Sequence, residues 1–135
     1  MISARVLHDG EAKGPVLRLT QPLSFWGAFD PATGAIIDVH HPQRGLCLKG
    51  VILVMRESRG SGSAPGAIAE AIRRGTAPAA IVLQEADVNL AIGAAVAREL
   101  YGKACPVLQV EEAAFAIIAA AMQAAIGRGG SIIVS

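Results

Sequence analysis

Aromatic residues are scarce in this chain: 4% of 135 residues, with one tryptophan, one tyrosine and three phenylalanines. Charge is balanced as well, at a formal net +1 with no basic run. Nucleic-acid binding draws on clustered cations and stacking aromatics, so no nucleic-acid partner is expected. Cysteine is equally sparse. Cys47 and Cys105 lie far apart with no CxxC spacing, and they read as two reduced thiols of a cytoplasmic protein. No apolar run is long enough for a bilayer. Ala113 to Ile126 is strongly apolar but too short to span one, and Met1-Ile2-Ser3-Ala4-Arg5-Val6 lacks the core of a signal peptide. Glu111 and Glu112 before that run, with Gly127 and Arg128 after it, mark the ends of a helix packed on a core. No membrane partner is expected.

What the chain does have is apolar mass. At 53% hydrophobic it is too apolar for disorder and can bury a core. No internal repeat, low-complexity tract or linker interrupts it, so residues 1–135 are read as a single domain. Ala4–Leu7 and Val16–Leu19 are short strand candidates, separated by turn-prone Asp9-Gly10 and Lys13-Gly14-Pro15. Asp30-Pro31-Ala32-Thr33-Gly34 is a tight turn, and Ala35–Val39 reads as another strand. Gly50–Met55, Ala79–Leu83, Pro106–Val110 and Ser131–Val134 are further strands. Helices are expected over Ala67–Arg74, from an Asp87 N-cap to Tyr101 with Gly102 as the stop, and over Glu111–Ile126. A β-rich first half thus precedes strand–helix alternation, an α/β domain.

One stretch concentrates chemistry. Ser58-Arg59-Gly60-Ser61-Gly62-Ser63-Ala64-Pro65-Gly66 joins the apolar strand Val51–Met55 to a helix. Unpaired amides and the positive end of the helix dipole converge at such a junction, which suits an anion. Arg59 adds a planar fork for a carboxylate or phosphate. The hydroxyls of Ser58, Ser61 and Ser63 can donate or accept protons.

Familiar motifs fail on spacing. A P-loop needs a GxxxxGK lysine that is absent, Gly60, Gly62 and Gly66 do not make GxGxxG, and neither Ser61 nor Ser63 sits in GxSxG. On spacing alone a tight β–α turn is favoured over a catalytic site. His40 and His41, adjacent in a strand, would point to opposite faces, and three-ligand metal spacing is missing. Asp38 could share a face with His40. The default role of Trp26 is core packing. Glu85 and Asp87 end a buried strand, where α/β proteins place site groups, although capping is the favoured job for Asp87.

The ordered set of motifs carries a resemblance. Pro22-Leu23-Ser24-Phe25-Trp26-Gly27, Asp30-Pro31-Ala32-Thr33-Gly34, His41-Pro42-Gln43 and Arg59-Gly60-Ser61-Gly62-Ser63 are followed by Glu70-Ala71-Ile72-Arg73-Arg74-Gly75-Thr76-Ala77-Pro78 and Glu99-Leu100-Tyr101-Gly102. From about Pro22 to Val110 this resembles the small subunit of the aconitase X family. The resemblance implies an aconitase-like swivelling β/β/α domain, with a mixed sheet and flanking helices. It further implies a hydro-lyase subunit that is inactive without its large subunit. Family activities are dehydrations of cis-3-hydroxy-L-proline or 5-phosphomevalonate, small carboxylate substrates, and the first is preferred here. The iron or iron–sulfur cluster is expected in the large subunit, where it assists loss of hydroxide, with no metal or cofactor bound by this chain.

By the same resemblance Ser61 is the base that takes the α-proton, with Ser63 the alternative. Arg59, Gly60, Gly62 and Ser63 bind substrate, and Trp26 and His41 are candidate active-site lining. Gly62-Ser63-Ala64-Pro65-Gly66 departs from the denser serine run of many relatives. Arg56-Glu57-Ser58 replaces a more glycine- or proline-like approach to the loop.

Overall fold

The structure, a computed structural model, describes residues 1–59 and 62–135. In chain order the elements are β1 (Ile2–Ser3), β2 (Arg5–His8), β3 (Ala12–Arg18), β4 (Ile52–Met55), α1 (Ala64–Arg74), β5 (Ala80–Leu83), α2 (Val88–Tyr101), β6 (Val107–Gln109), α3 (Glu112–Ala119), β7 (Gln123–Gly127) and β8 (Ser131–Val134). Their order across the sheet is β1-β8-β7-β3-β4-β5-β6-β2. The central run β3-β4-β5-β6 is parallel. The outer strands β2, β7, β8 and β1 are antiparallel to their neighbours.

β1 and β2 are separated only by Ala4, yet they pair at opposite ends of that order. The sheet therefore curls round on itself. Ala4 closes the curl by donating its amide to Gly130 O at 2.8 Å. Gly130 sits at φ 89°, and a Cβ there would lie 2.5 Å from Ala4 O, so glycine is required for this closure.

The middle strands β4 and β5 are buried at every position, as parallel strands covered on both faces must be. Their side chains still alternate between two cores. Leu53, Met55, Ile81 and Leu83 pack with Ile68 and Ile72 of α1 and Leu90 and Ala94 of α2. Ile52, Val54, Ala80 and Val82 pack with Phe115 and Ile118 of α3 and with Ala124, Ile126 and Ile132. Both crossover helices lie on one face, with α3 on the other. This is the mixed sheet with flanking helices expected from the sequence.

Four expectations are corrected. Lys13-Gly14-Pro15 lies inside β3 rather than in a turn. Pro15 stands where β3 passes from its β7 partner to its β4 partner. Ala35–Val39 is no strand: it contributes only the bridges Phe29–Ile36 and Ala35–Cys47. Its alternation, with Ile36 buried and Ile37 and Val39 exposed, matches a half-buried strand that has no partner strand. The first half is accordingly less β-rich than expected, since residues 19–51 are mostly turns packed over the α1 side. The last helix stops at Ala119, and residues 123–127 form β7. There Ala124 and Ile126 are buried while Gln123 and Ala125 are exposed, so pairing with β3 on one side and β8 on the other overrides alanine's helical propensity.

Candidate active site

The serine loop leaves the C-terminal end of β4 and re-enters the fold as α1. Its first residue is fixed by backbone: Arg56 O accepts the amides of Gln84 at 3.1 Å and Glu85 at 2.8 Å. Ser58 is fixed by its side chain, the hydroxyl donating to Asp87 Oδ2 at 2.5 Å. The other Asp87 oxygen accepts from Asn89 N at 2.9 Å, so one carboxylate both caps α2 and anchors the loop. Arg59 N then donates to Leu23 O at 3.1 Å. The capping role expected of Asp87 holds. The grip on Ser58, 29 residues away in sequence, carried no local signal.

Beyond these anchors Arg59 is exposed, and its guanidinium has no partner among the described residues. Gly60 and Ser61, a predicted substrate contact and the predicted base, lie outside the described residues. Gly62 and Ser63 are exposed, with Ser63 at the N-cap of α1. The helix starts at Ala64, three residues earlier than expected, with Pro65 in its first turn, where a missing N–H costs nothing. Ala67 N reaches Ser63 O at 3.3 Å, which leaves the Ala64 and Gly66 amides ahead of the intrahelical ladder. The first turn holds no acidic residue. Its positive dipole end is therefore not offset by a local carboxylate.

Trp26 is 62% exposed, against its default reading as core. The core role falls to Phe25, whose ring centroid lies 5.1 Å from that of Phe29. Ser24 holds the tryptophan's backbone, its Oγ donating to Trp26 O at 3.0 Å. Trp26 lines a shallow cavity of about 320 Å³ with Phe25, Phe29, Pro31, Gly66 and Ala67. It thereby stands beside the first turn of α1.

His41 is buried, and both ring nitrogens are engaged. Nε2 lies 3.2 Å from Gln21 O, and Nδ1 accepts from Gln43 N at 3.1 Å. Gln43 in turn donates from Nε2 to Arg18 O at 2.9 Å and accepts from Thr20 N at 2.8 Å. His41-Pro42-Gln43 is thus a clamp on residues 18–21, which run from the end of β3 towards Leu23. The adjacent histidines do not sit in a strand, and His40 is exposed. The Asp30–Gly34 turn is tied down in the same way, with Thr76 Oγ1 donating to Pro31 O at 2.6 Å.

The clamped segment walls a second cavity, of about 230 Å³, at the C-terminal ends of β3 and β4. Arg18, Thr20, Gln21, Arg56, Glu57 and Phe115 line it. Sequence reasoning did not join Arg18 to the loop, because their adjacency comes from the parallel β3–β4 pairing.

The donors of the described residues do not assemble an iron site. Among the described residues no three His, Cys, Asp or Glu side chains gather. Cys105 is buried, its thiol pushed up to about 12 by burial and donating to Pro78 O at 3.4 Å. Cys47 is exposed and reaches Thr33 O at 3.6 Å.

A family model, the aconitase X swivel domain, matches residues 1–134. The cis-3-hydroxy-L-proline dehydratase of Pseudomonas aeruginosa is 44% identical over 79% of this chain, which spans only 18% of that protein's length. The phosphomevalonate dehydratase small subunit of Methanothermobacter thermautotrophicus is 40% identical over 71% of this chain and 73% of its own length. The crystal structure of Thermococcus kodakaraensis aconitase X superposes with a TM-score of 0.82 at 26% identity, covering 98% of this chain and 96% of that one. Fold and sequence agree: the chain belongs to the aconitase X swivel-domain family.

Proposed function

We propose that this chain is the small subunit of a two-subunit aconitase X-type hydro-lyase that dehydrates cis-3-hydroxy-L-proline. The observation that carries the reading is the serine loop. It is anchored at Arg56, Ser58 and Arg59, and it leads into Ser63, the N-cap of a helix whose first turn holds no acidic residue. Ser61 takes the α-proton, the freed electron pair forms the double bond, and hydroxide leaves the neighbouring carbon. A serine hydroxyl is a weak base unless its alkoxide is stabilised, and the α1 amides with Arg59 provide that stabilisation. Arg59, Gly60, Gly62 and Ser63 form the anion-binding rim, which takes the substrate carboxylate.

Assistance to the departing hydroxide is assigned to the iron-bearing large subunit, and no step of it is derived for this chain. The partner faces the serine loop and the Trp26 and His41 segments, so that the two chains share one site. The exposed indole beside α1 supports that orientation. A complex in which Trp26 stays as solvent-accessible as in the free chain contradicts it.

A second reading is the phosphomevalonate dehydratase small subunit, favoured by the relative whose own length this chain largely covers. Arg73 is paired to Glu70 at the end of α1 away from the serine loop. Parallel assays of the co-expressed complex on both substrates decide between the readings. Turnover of cis-3-hydroxy-L-proline alone is expected, and turnover of 5-phosphomevalonate alone replaces the first reading with the second.

A further inference from the structure

The cavity at the ends of β3 and β4 has a charge pattern that the reaction above does not use. Arg18 stands opposite Val54 in the β3–β4 register. Arg56 follows Val54 by two residues, where side chains return to the same face of a strand. That face is the α3 side, and Phe115 of α3 closes the cavity there. Glu57 completes the lining. Arg18, Arg56 and Glu57 form no ion pair among the described residues. Two cations and one anion, all exposed, thus line a single space with no direct ion pair between them among the described residues.

That space adjoins the reaction site along the chain. Arg56 and Glu57 lead directly into the serine loop, and Pro22 of the cavity wall precedes Leu23, the acceptor for Arg59 N. His41 and Gln43 hold residues 18–21 in place as the opposite wall. At about 230 Å³ the cavity is smaller than the ~300–1,000 Å³ of pockets for drug-sized ligands. It suits a small, compact molecule.

The geometry points to Arg18, Arg56 and Glu57 as a specificity site for the zwitterionic head of an amino or imino acid. This inference rests on the proposed dehydration and names what selects its substrate. The guanidiniums hold the carboxylate together with Arg59, which a group with about four acceptor directions permits. Glu57 receives the substrate's ammonium. The same carboxylate opposes a phosphate dianion, because a like charge beside a bound anion discriminates by repulsion. Glu57 is on this account the reader of the substrate's nitrogen.

The test uses the assembled two-subunit complex and two unreactive probes, L-proline and cyclopentanecarboxylate, which lacks the amine. Glu57→Gln should raise KM for cis-3-hydroxy-L-proline at least about tenfold, with a smaller change in kcat, and should weaken inhibition by L-proline in parallel. Inhibition by cyclopentanecarboxylate should not weaken. Arg56→Gln should weaken both probes. Retained turnover with KM and L-proline inhibition unmoved by Glu57→Gln overturns the inference and leaves the dehydration standing. A wild-type complex that binds L-proline in a Glu57-dependent way without turning over cis-3-hydroxy-L-proline does the reverse. Inorganic phosphate that binds the cavity more tightly than L-proline also overturns the inference.

Discussion

Asp87 carries two tasks with one carboxylate. It accepts from Asn89 N as the cap of α2 and from Ser58 Oγ as the anchor of the serine loop. Losing an N-cap costs ~0.5–2 kcal/mol, and orphaning a partly buried hydroxyl adds ~1–3 kcal/mol. Asp87→Ala should therefore destabilise by about 2–4 kcal/mol in urea unfolding, with Ser58→Ala costing less because the cap survives. Equal, sub-kilocalorie effects would contradict the shared-anchor account. His8 offers a pH signature. Its ring is half-buried with Nε2 unpartnered among the described residues. Burial first, then Arg98, holds its pKa below the ordinary 6.5, against an opposing pull from Asp9. The unfolded chain then binds more protons between the lowered folded value and 6.5. Stability should rise with pH through that window and fall as pH drops below 6.5. Melting curves across that range should flatten in His8→Leu. An unchanged slope would assign the pH dependence elsewhere.

Among the elements, α1 and α2 meet closely at Gly93. A Cβ there would collide with Ile68 Cγ2 and lie 2.6 Å from Pro65 O. The contact seats the first turn of α1 directly on α2. Alanine gains up to ~1 kcal/mol of helix propensity over glycine, but overpacking a core typically costs ~1–3 kcal/mol. Gly93→Ala should on balance destabilise in urea unfolding, and it should lower activity of the complex by displacing the loop. A variant as stable as wild type would mean that the crossing can relax. The sequence makes α2 legible because its signals are local: an Asp cap at its start and Gly102 at φ 66° at its end. β4, β5 and β6 are legible as apolar runs. The strand β7 is not, since Gln123–Gly127 continues an alanine-rich run, and beside its local hairpin with β8 its pairing with β3 spans more than a hundred positions. Ala35–Val39 fails the opposite way, with strand alternation but no strand to join.

The whole molecule gathers one working edge from distant parts of the chain. The serine loop, the Ser58–Asp87 anchor, the exposed Trp26 and the clamped 18–21 segment all lie at the C-terminal ends of β3, β4 and β5. This is where parallel sheets place their sites. The motifs that mark the family divide into two kinds. His41-Pro42-Gln43 and Asp30–Gly34 with Thr76 fasten long connections, whereas Arg59, Gly62 and Ser63 are exposed. Sequence alone could not separate fasteners from exposed groups, because the partners of the fasteners lie about 20 to 45 residues away. The central claim concerns the serine loop, and turnover of cis-3-hydroxy-L-proline by the co-expressed two-subunit complex with Ser61→Ala tests it most directly. Loss of several orders of magnitude in kcat, with the complex intact, is the predicted result. Turnover that survives the substitution would contradict the assignment of the base and move that role to Ser63 or to the large subunit.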